Sequence, residues 1–257
     1  VTAAVELEAS TAIRIDAVSK AYGDGRSAVQ ALAEVDLDIR EGEFVCLLGA
    51  SGCGKSTLLN LIAGLYRVNR GSIDTGDRRI GFVFQEPALF PWLTVAENVE
   101  AGMRFRDLPG LFRRRRVQDL LEMVQLGDFA ERRPHELSGG MQQRTSLARA
   151  LAQDAQILLM DEPFGALDAM TRSVLHDELE QIWQRTGATV VFVTHDVREA
   201  VRLGDRVIVL SSRPGRVIAD TRIPLERPRT LESDEVGHIA ARITGLLREE
   251  VRRHGGH

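Results

Sequence analysis

Four short apolar runs punctuate the chain: Phe44-Val45-Cys46-Leu47-Leu48, Ile80-Gly81-Phe82-Val83-Phe84, Ile157-Leu158-Leu159-Met160 and Val190-Val191-Phe192-Val193-Thr194. Each reads as a strand buried on both faces, rich in β-branched and large apolar residues. Strand-like and helix-like segments alternate over most of the length, which predicts a mostly parallel sheet with helices on its faces. Each run ends in a polar or Gly-rich stretch: residues 49–56, Gln85-Glu86, Asp161-Glu162 and His195-Asp196. In open parallel sheets ligands collect beyond the carboxyl ends of the strands, so these four stretches are expected on one edge.

Between Gln85 and about Gln153 helical patterning replaces the strand signal, and this stretch reads as a helical insertion in the sheet domain. Leu120, Leu121, Met123, Val124 and Leu126 fall at spacings that give a helix a broad apolar face. Residues 207–210 and 217–219 flank Arg213-Pro214-Gly215, a turn signal between two short strands. From Leu231 the chain reads as a charged, solvated helix that frays at Gly255-Gly256, and residues 1–10 as a loosely ordered tail.

At 257 residues the chain can form one large domain or two small ones. Its apolar runs are far shorter than the ~20 residues of a membrane-spanning helix. No secretory leader pattern appears at the N-terminus, so secretion is not expected. The two cysteines, Cys46 and Cys53, form no disulfide framework, which fits a reducing cytosol. A formal net charge of -4 argues against a general nucleic-acid binder.

The chemistry is concentrated at the strand ends. Gly49, Ala50, Ser51, Gly52, Cys53, Gly54, Lys55 and Ser56 match the P-loop pattern, in which backbone N–H groups and a helix N-terminus bind phosphate oxygens. Lys55 is expected to reach the terminal phosphates, Ser56 to ligate Mg²⁺ and Thr57 to add a phosphate contact. An apolar strand precedes the loop and Leu58-Leu59-Asn60-Leu61-Ile62 continues it as a helix, the context the motif requires. Asp161 is a candidate Mg²⁺ ligand, acting through water, and Glu162 a candidate base for an attacking water. Gln85 and His195 are placed to contact Mg²⁺-bound water and the γ-phosphate. Taken alone, a helix cap or an exposed turn carboxylate would be the better reading of these acids; beside Lys55, catalysis is.

These strings, in this order, resemble the ATP-binding cassette (ABC) ATPases over nearly the whole chain. The resemblance rests on the P-loop, on Gln85 after Val83-Phe84, and on the signature Leu137-Ser138-Gly139-Gly140-Met141-Gln142-Gln143-Arg144. It also rests on Leu158-Leu159-Met160-Asp161-Glu162-Pro163, Ala166-Leu167-Asp168 and Thr194-His195-Asp196. It implies an α/β P-loop NTPase core with a mostly parallel sheet, an N-terminal antiparallel β-subdomain and an inserted helical subdomain. The cassette would span 11–230, with the helical subdomain at 88–153 and a helical tail over 231–257. ATP and Mg²⁺ are the implied cofactors.

By the same resemblance Tyr22 stacks on adenine, Gln85 senses Mg²⁺ and the permease, and Asp168 lies at a dimer seam. Ser138, Gly139 and Gly140 grip the γ-phosphate held by a second copy of the chain. The residues agree, because a Ser-Gly-Gly helix start is a second anion site that one chain is not expected to close on its own phosphate loop. Met141 departs from the family's usual Gln, which touches only ribose-edge contacts. The strings around Gln85, Asp168 and Arg213 are similar to the nitrate, sulfonate and taurine importers, whose ATPase works on the cytoplasmic face of the inner membrane with permease subunits and, indirectly, a periplasmic binding protein. A non-transport cassette acting on nucleic acid or ribosomes is the alternative, and a P-loop kinase a third reading that leaves the signature unexplained.

Simpler readings hold elsewhere. Residues 113–116, all Arg, form a solvated helix face, and Trp183 and Phe192 belong to the core. The family resemblance implies a groove for a permease helix near Gln85, and for Phe90-Pro91-Trp92-Leu93 that socket is favoured over subdomain core. Cys53 is read as loop filler whose thiol could be alkylated.

Overall fold

The computed structural model describes residues 10–23, 25, 28–104 and 109–254. The expected tail before Ser10 and the expected fraying at Gly255-Gly256 lie outside the described residues. In chain order the first elements are β1 (Thr11–Tyr22), β2 (Val29–Arg40), β3 (Phe44–Leu48), α1 (Lys55–Ile62), β4 (Arg70–Asp74) and β5 (Ile80–Val83). Three helices follow, α2 (Val95–Ala101), α3 (Gly110–Met123) and α4 (Gly139–Leu151). The chain then continues through β6 (Ile157–Asp161), α5 (Ala169–Thr186), β7 (Thr189–Val193), α6 (Val197–Leu203), β8 (Arg206–Leu210), β9 (Val217–Arg222) and α7 (Asp234–His254).

The four apolar runs become β3, β5, β6 and β7 of a six-stranded sheet ordered β5-β6-β7-β3-β8-β9, parallel except for the antiparallel β8–β9 pair. Cys46 pairs with Phe192 and Leu47 with Val193, so successive residues point to opposite faces. Phe44, Cys46, Leu48 and Phe192 enter one apolar cluster with Val99 of α2, Leu120 of α3, Leu147 of α4, Leu175 of α5 and Val201 of α6. Val45, Leu47 and Val193 enter a second with Leu58 of α1, Ile13 of β1 and Val35 of β2. Burial on both faces is the physical reason β3, β6 and β7 do not alternate; the expectation fails for β5, an edge strand in which buried Gly81 and Val83 alternate with half-buried Ile80 and Phe82.

Strands β2-β1-β4 form a separate antiparallel sheet over α1's side of the core. Between β5 and β6 the described chain is helical, with α2, α3, α4 and two single 3₁₀ turns. The helical face expected through Leu126 stops earlier. Helix α3 ends at Met123, Gln125 sits at φ 56°, and Val124 and Leu126 are buried from the turn beyond it. The charged C-terminal helix is also less solvated than its composition implies. Val236, Ala240 and Ile243 of α7, spaced by four and three residues, are buried in the core that α6 also enters.

Arg114 and Arg115 of the basic run are exposed, while Arg113 and Arg116 reach Glu100 at 3.7 Å and Asp154 at 3.3 Å. Phe192 is buried in the core, and Trp183 packs against it with Nε1 donating to Gly42 O at 3.1 Å.

Candidate functional site

Strand β3 delivers the chain into a loop that wraps back before α1 begins at Lys55. Gly52 and Gly54 take φ of 75° and 102°, values that side-chain-bearing residues rarely adopt. A Cβ on Gly54 would lie 2.6 Å from Leu32 Cδ2 and 2.9 Å from Ala31 O, so β2 pins the loop from behind. Helix α1 starts with no side-chain cap and no acid in its first turn. Its N–H groups are therefore left for an anion.

Lys55 is 6% exposed, and its Nζ donates to Gly49 O at 2.9 Å and Ala50 O at 3.2 Å. Cys53, at 1% exposure, points into the core beneath the loop, and burial raises its thiol pKa. That corrects the expectation of an alkylatable thiol, since alkylation needs solvent access and thiolate.

A cavity of about 510 Å³ opens over this loop, lined by Ser51, Gly52, Gly54, Lys55, Ser56 and Thr57 together with Tyr22, Gln85, Glu162 and Arg213. Ser56 Oγ donates to Asp161 Oδ1 at 3.0 Å, at the end of β6. Burial raises the Asp161 pKa; the Ser56 hydrogen bond and Lys55 oppose the shift, and Glu162 adds to it. Glu162 sits at φ 43°, a strained backbone for a non-glycine residue, with its N–H donating to Val193 O at 3.0 Å. Its Oε2 lies 2.9 Å from His195 Nδ1, so the ends of β6 and β7 meet in a carboxylate–imidazole pair. Behind His195, the Thr194 hydroxyl donates to buried Glu199, which in turn bonds buried His176.

Tyr22 is half-exposed, with its hydroxyl 3.5 Å from Thr57 Oγ1 and its ring edge-on to Tyr66 at 6.0 Å. Gln85 sits in a segment gripped by α4. Gln143 Nε2 donates to Phe84 O at 3.1 Å, and Arg149 donates to Ala88 O at 2.8 Å and Pro87 O at 3.0 Å. Phe90 and Trp92 on the same segment are exposed, Trp92 at 67%, which excludes them from the subdomain core.

Ser138, Gly139, Gly140 and Asp168 form a different surface. Ser138 caps α4, its Oγ accepting from Met141 N at 3.3 Å. Asp168 caps α5, accepting from Thr171 N at 3.0 Å, Thr171 Oγ1 at 2.6 Å and Met170 N at 3.1 Å, and these bonds lower its pKa. The two helix starts abut, because a Cβ on Gly140 would lie 2.9 Å from Thr171 Cγ2 and one on Gly139 3.2 Å from Leu167 Cδ2. None of these residues lines the phosphate-loop cavity. Met141 packs, half-buried, against the larger cluster.

The structure thus brings Tyr22, residues 49–57, Gln85, Asp161, Glu162 and His195 to one strand-end edge and sets the Ser138 and Asp168 group apart. Sequence reasoning overlooked Gln143, Arg149, Glu199, His176 and Arg213 as supports or lining. Only the Gln143 and Arg213 strings offered a signal, through their place in quoted motifs.

Residues 32–165 match the ABC transporter family. The chain is similar to the aliphatic sulfonates import ATP-binding protein SsuB of Bacillus cereus, 43% identical over 86% of this chain and 90% of that one. It is likewise similar to the taurine import ATP-binding protein TauB of Roseobacter denitrificans, 46% identical over 76% of each chain. Among solved structures, a dimeric ATP-binding cassette in a post-hydrolysis state, bound to ADP and Pi, superposes with a TM-score of 0.72 at 38% identity. That superposition covers 83% of this chain and 100% of the other.

Proposed function

The chain belongs to the ABC transporter family, and from that premise we propose that it is the ATPase subunit of an importer for a small sulfonate-type anion. The likeness to SsuB and TauB supports the sulfonate and taurine class over nitrate. In this reading the cassette spans residues 11–230 with its helical subdomain at 88–153, and 231–257 is an appended tail.

ATP lies in the 510 Å³ cavity with adenine against Tyr22 and its phosphates over the loop. Lys55 exchanges its carbonyl partners for terminal phosphate oxygens, and Thr57 adds a hydroxyl. The donor set fits Mg²⁺: the Ser56 and Asp161 oxygens already face each other at 3.0 Å, and Asp161 is a half-buried carboxylate whose charge a cation would stabilise. Ser56 would ligate the ion directly, with Asp161 and Gln85 acting through its water shell. When bound, Mg²⁺ neutralises charge on the phosphates. Glu162 orients water and takes its proton, while His195 holds the Glu162 carboxylate and reaches toward the γ-phosphate.

The observation that carries this reading is the separation of the two anion sites. The start of α4 at Ser138, Gly139 and Gly140, with Ser138 and Gly139 exposed, lies away from the chain's own phosphate loop, which favours a second copy arranged head to tail with Asp168 at the seam. The dimeric cassette among its structural neighbours supports that arrangement. Exposed Phe90 and Trp92 suit the reception of a permease helix. No described helix is long and apolar enough to cross a membrane. The subunit would sit peripherally on the cytoplasmic face of the inner membrane, with a periplasmic protein selecting the anion.

The test is ATP turnover by the purified chain with and without its co-purified permease in liposomes. We expect several-fold stimulation by the permease, rising further with the loaded binding protein. Stimulation by RNA and indifference to the permease would overturn the transport reading.

A further inference from the structure

The Ser211-Ser212-Arg213-Pro214-Gly215-Arg216 turn between β8 and β9 has no part in the mechanism above. It is fastened to the phosphate loop and to β2. Gly215 N donates to Ala31 O at 2.8 Å, Ala33 N donates to Gly215 O at 3.0 Å, and a Cβ on Gly215 would lie 2.1 Å from Cys53 O. The turn is also fixed internally and from α7. Ser211 Oγ accepts from Arg216 N at 2.9 Å, and Ser212 N donates to Glu250 Oε1 at 3.0 Å.

Held in this way, Arg213 extends over the loop. Its Nε donates to Gly52 O at 3.2 Å, its Nη2 lies 3.2 Å from where a Cβ on Gly52 would stand, and its side chain lines the same cavity as Lys55, Ser56 and Thr57. Neither Nη has a hydrogen bond or an ion pair with any described residue. A guanidinium steered by Nε alone keeps four N–H donors in its fork, and the complement of such a fork is an anionic oxygen. We infer that Arg213 is a second cationic ligand, beside Lys55, for the phosphate chain of the bound nucleotide. The inference rests on the reading of this cavity as the ATP site.

The experiment compares ATP dissociation constants of the full chain for the parent, Arg213→Gln, Arg213→Lys and Lys55→Ala, at low and high salt. Arg213→Gln should weaken ATP about tenfold, as expected for one lost charge-assisted contact, and flatten the salt dependence. Arg213→Lys should recover part of the loss, because charge returns without the fork. Affinity within about twofold of the parent in Arg213→Gln, with Lys55→Ala defective, overturns the role of Arg213 alone. So does intact binding with ATP-driven dimerisation lost, which would assign the cation to the seam. Normal binding in Lys55→Ala would mean that the cavity is not the nucleotide site, and both readings would fall together.

Discussion

Asp161 shows how a ligand-ready carboxylate weighs on the nucleotide-free fold. Burial and the neighbouring Glu162 raise its pKa, and the Ser56 hydroxyl and Lys55 offset only part of the shift. A carboxyl whose folded pKa lies above its unfolded value contributes stability that is full below the unfolded value and is lost as pH rises through the folded one. At neutral pH Asp161 therefore opposes folding. Asp161→Asn keeps an oxygen acceptor for Ser56 and removes the charge, so the nucleotide-free variant should melt above the parent at pH 7. That difference should close as pH falls toward about 4, near the unfolded carboxyl value, while ATP hydrolysis is lost. Thermal melts across that range check the sign, and a lower melting point at pH 7 would contradict it. At this scale the loop, Asp161 and Glu162 were legible in the sequence because their residue types are tied to the ends of apolar runs. The direction of Cys53 was not, because it follows from the loop's wrap over β2. Arg213 was overlooked for a related reason: its reach over Gly52 depends on how a turn more than a hundred residues away is fastened.

Helix α4 carries two duties, one at its start and one along its length to Arg149 in its last turn. Ser138 caps it beside exposed Gly139 and buried Gly140, while Gln143 and Arg149 hold the backbone on both sides of Gln85. The helix whose start we propose as a partner-facing anion site is thereby hydrogen-bonded to the segment that carries Gln85, and Arg149 also lies over the Phe90 ring, 5.8 Å from its centre. Ser138→Ala removes the hydroxyl at a cost of about 1 kcal/mol to the helix start. It should reduce hydrolysis and ATP-driven dimerisation by about tenfold or more, yet leave nucleotide affinity of the isolated subunit within about twofold. Paired nucleotide-binding and light-scattering measurements check this, and a large loss of affinity would place Ser138 at its own chain's nucleotide. Elements buried on both faces, β3, β6 and β7, could be read directly from their continuous apolar runs. Strand β2 alternates cleanly only over residues 35–40, and elsewhere in β1 and β2 register shifts and the left-handed Ala17 and Glu34 interrupt the pattern. The apolar stripe of α7 was hidden by the charges around it.

Across the whole molecule, a mostly parallel sheet gathers four strand ends at one edge, and the helical insertion carries the start of α4, the second anion site we propose, to another surface. Under the proposed function both sites are used together only when two copies face each other, which makes nucleotide binding and assembly one equilibrium. At such a shared site, under the proposed function, Glu162 activates the attacking water. Glu162→Gln isolates that step, because the amide keeps the shape of the side chain and loses only the base. The decisive measurement is ATP turnover together with oligomeric state and bound nucleotide for this variant in excess ATP and Mg²⁺. Turnover should fall by about 10²-fold or more while the chain elutes as a stable dimer carrying two ATP molecules. Near-parental turnover, or a monomer that binds ATP without pairing, would contradict the account.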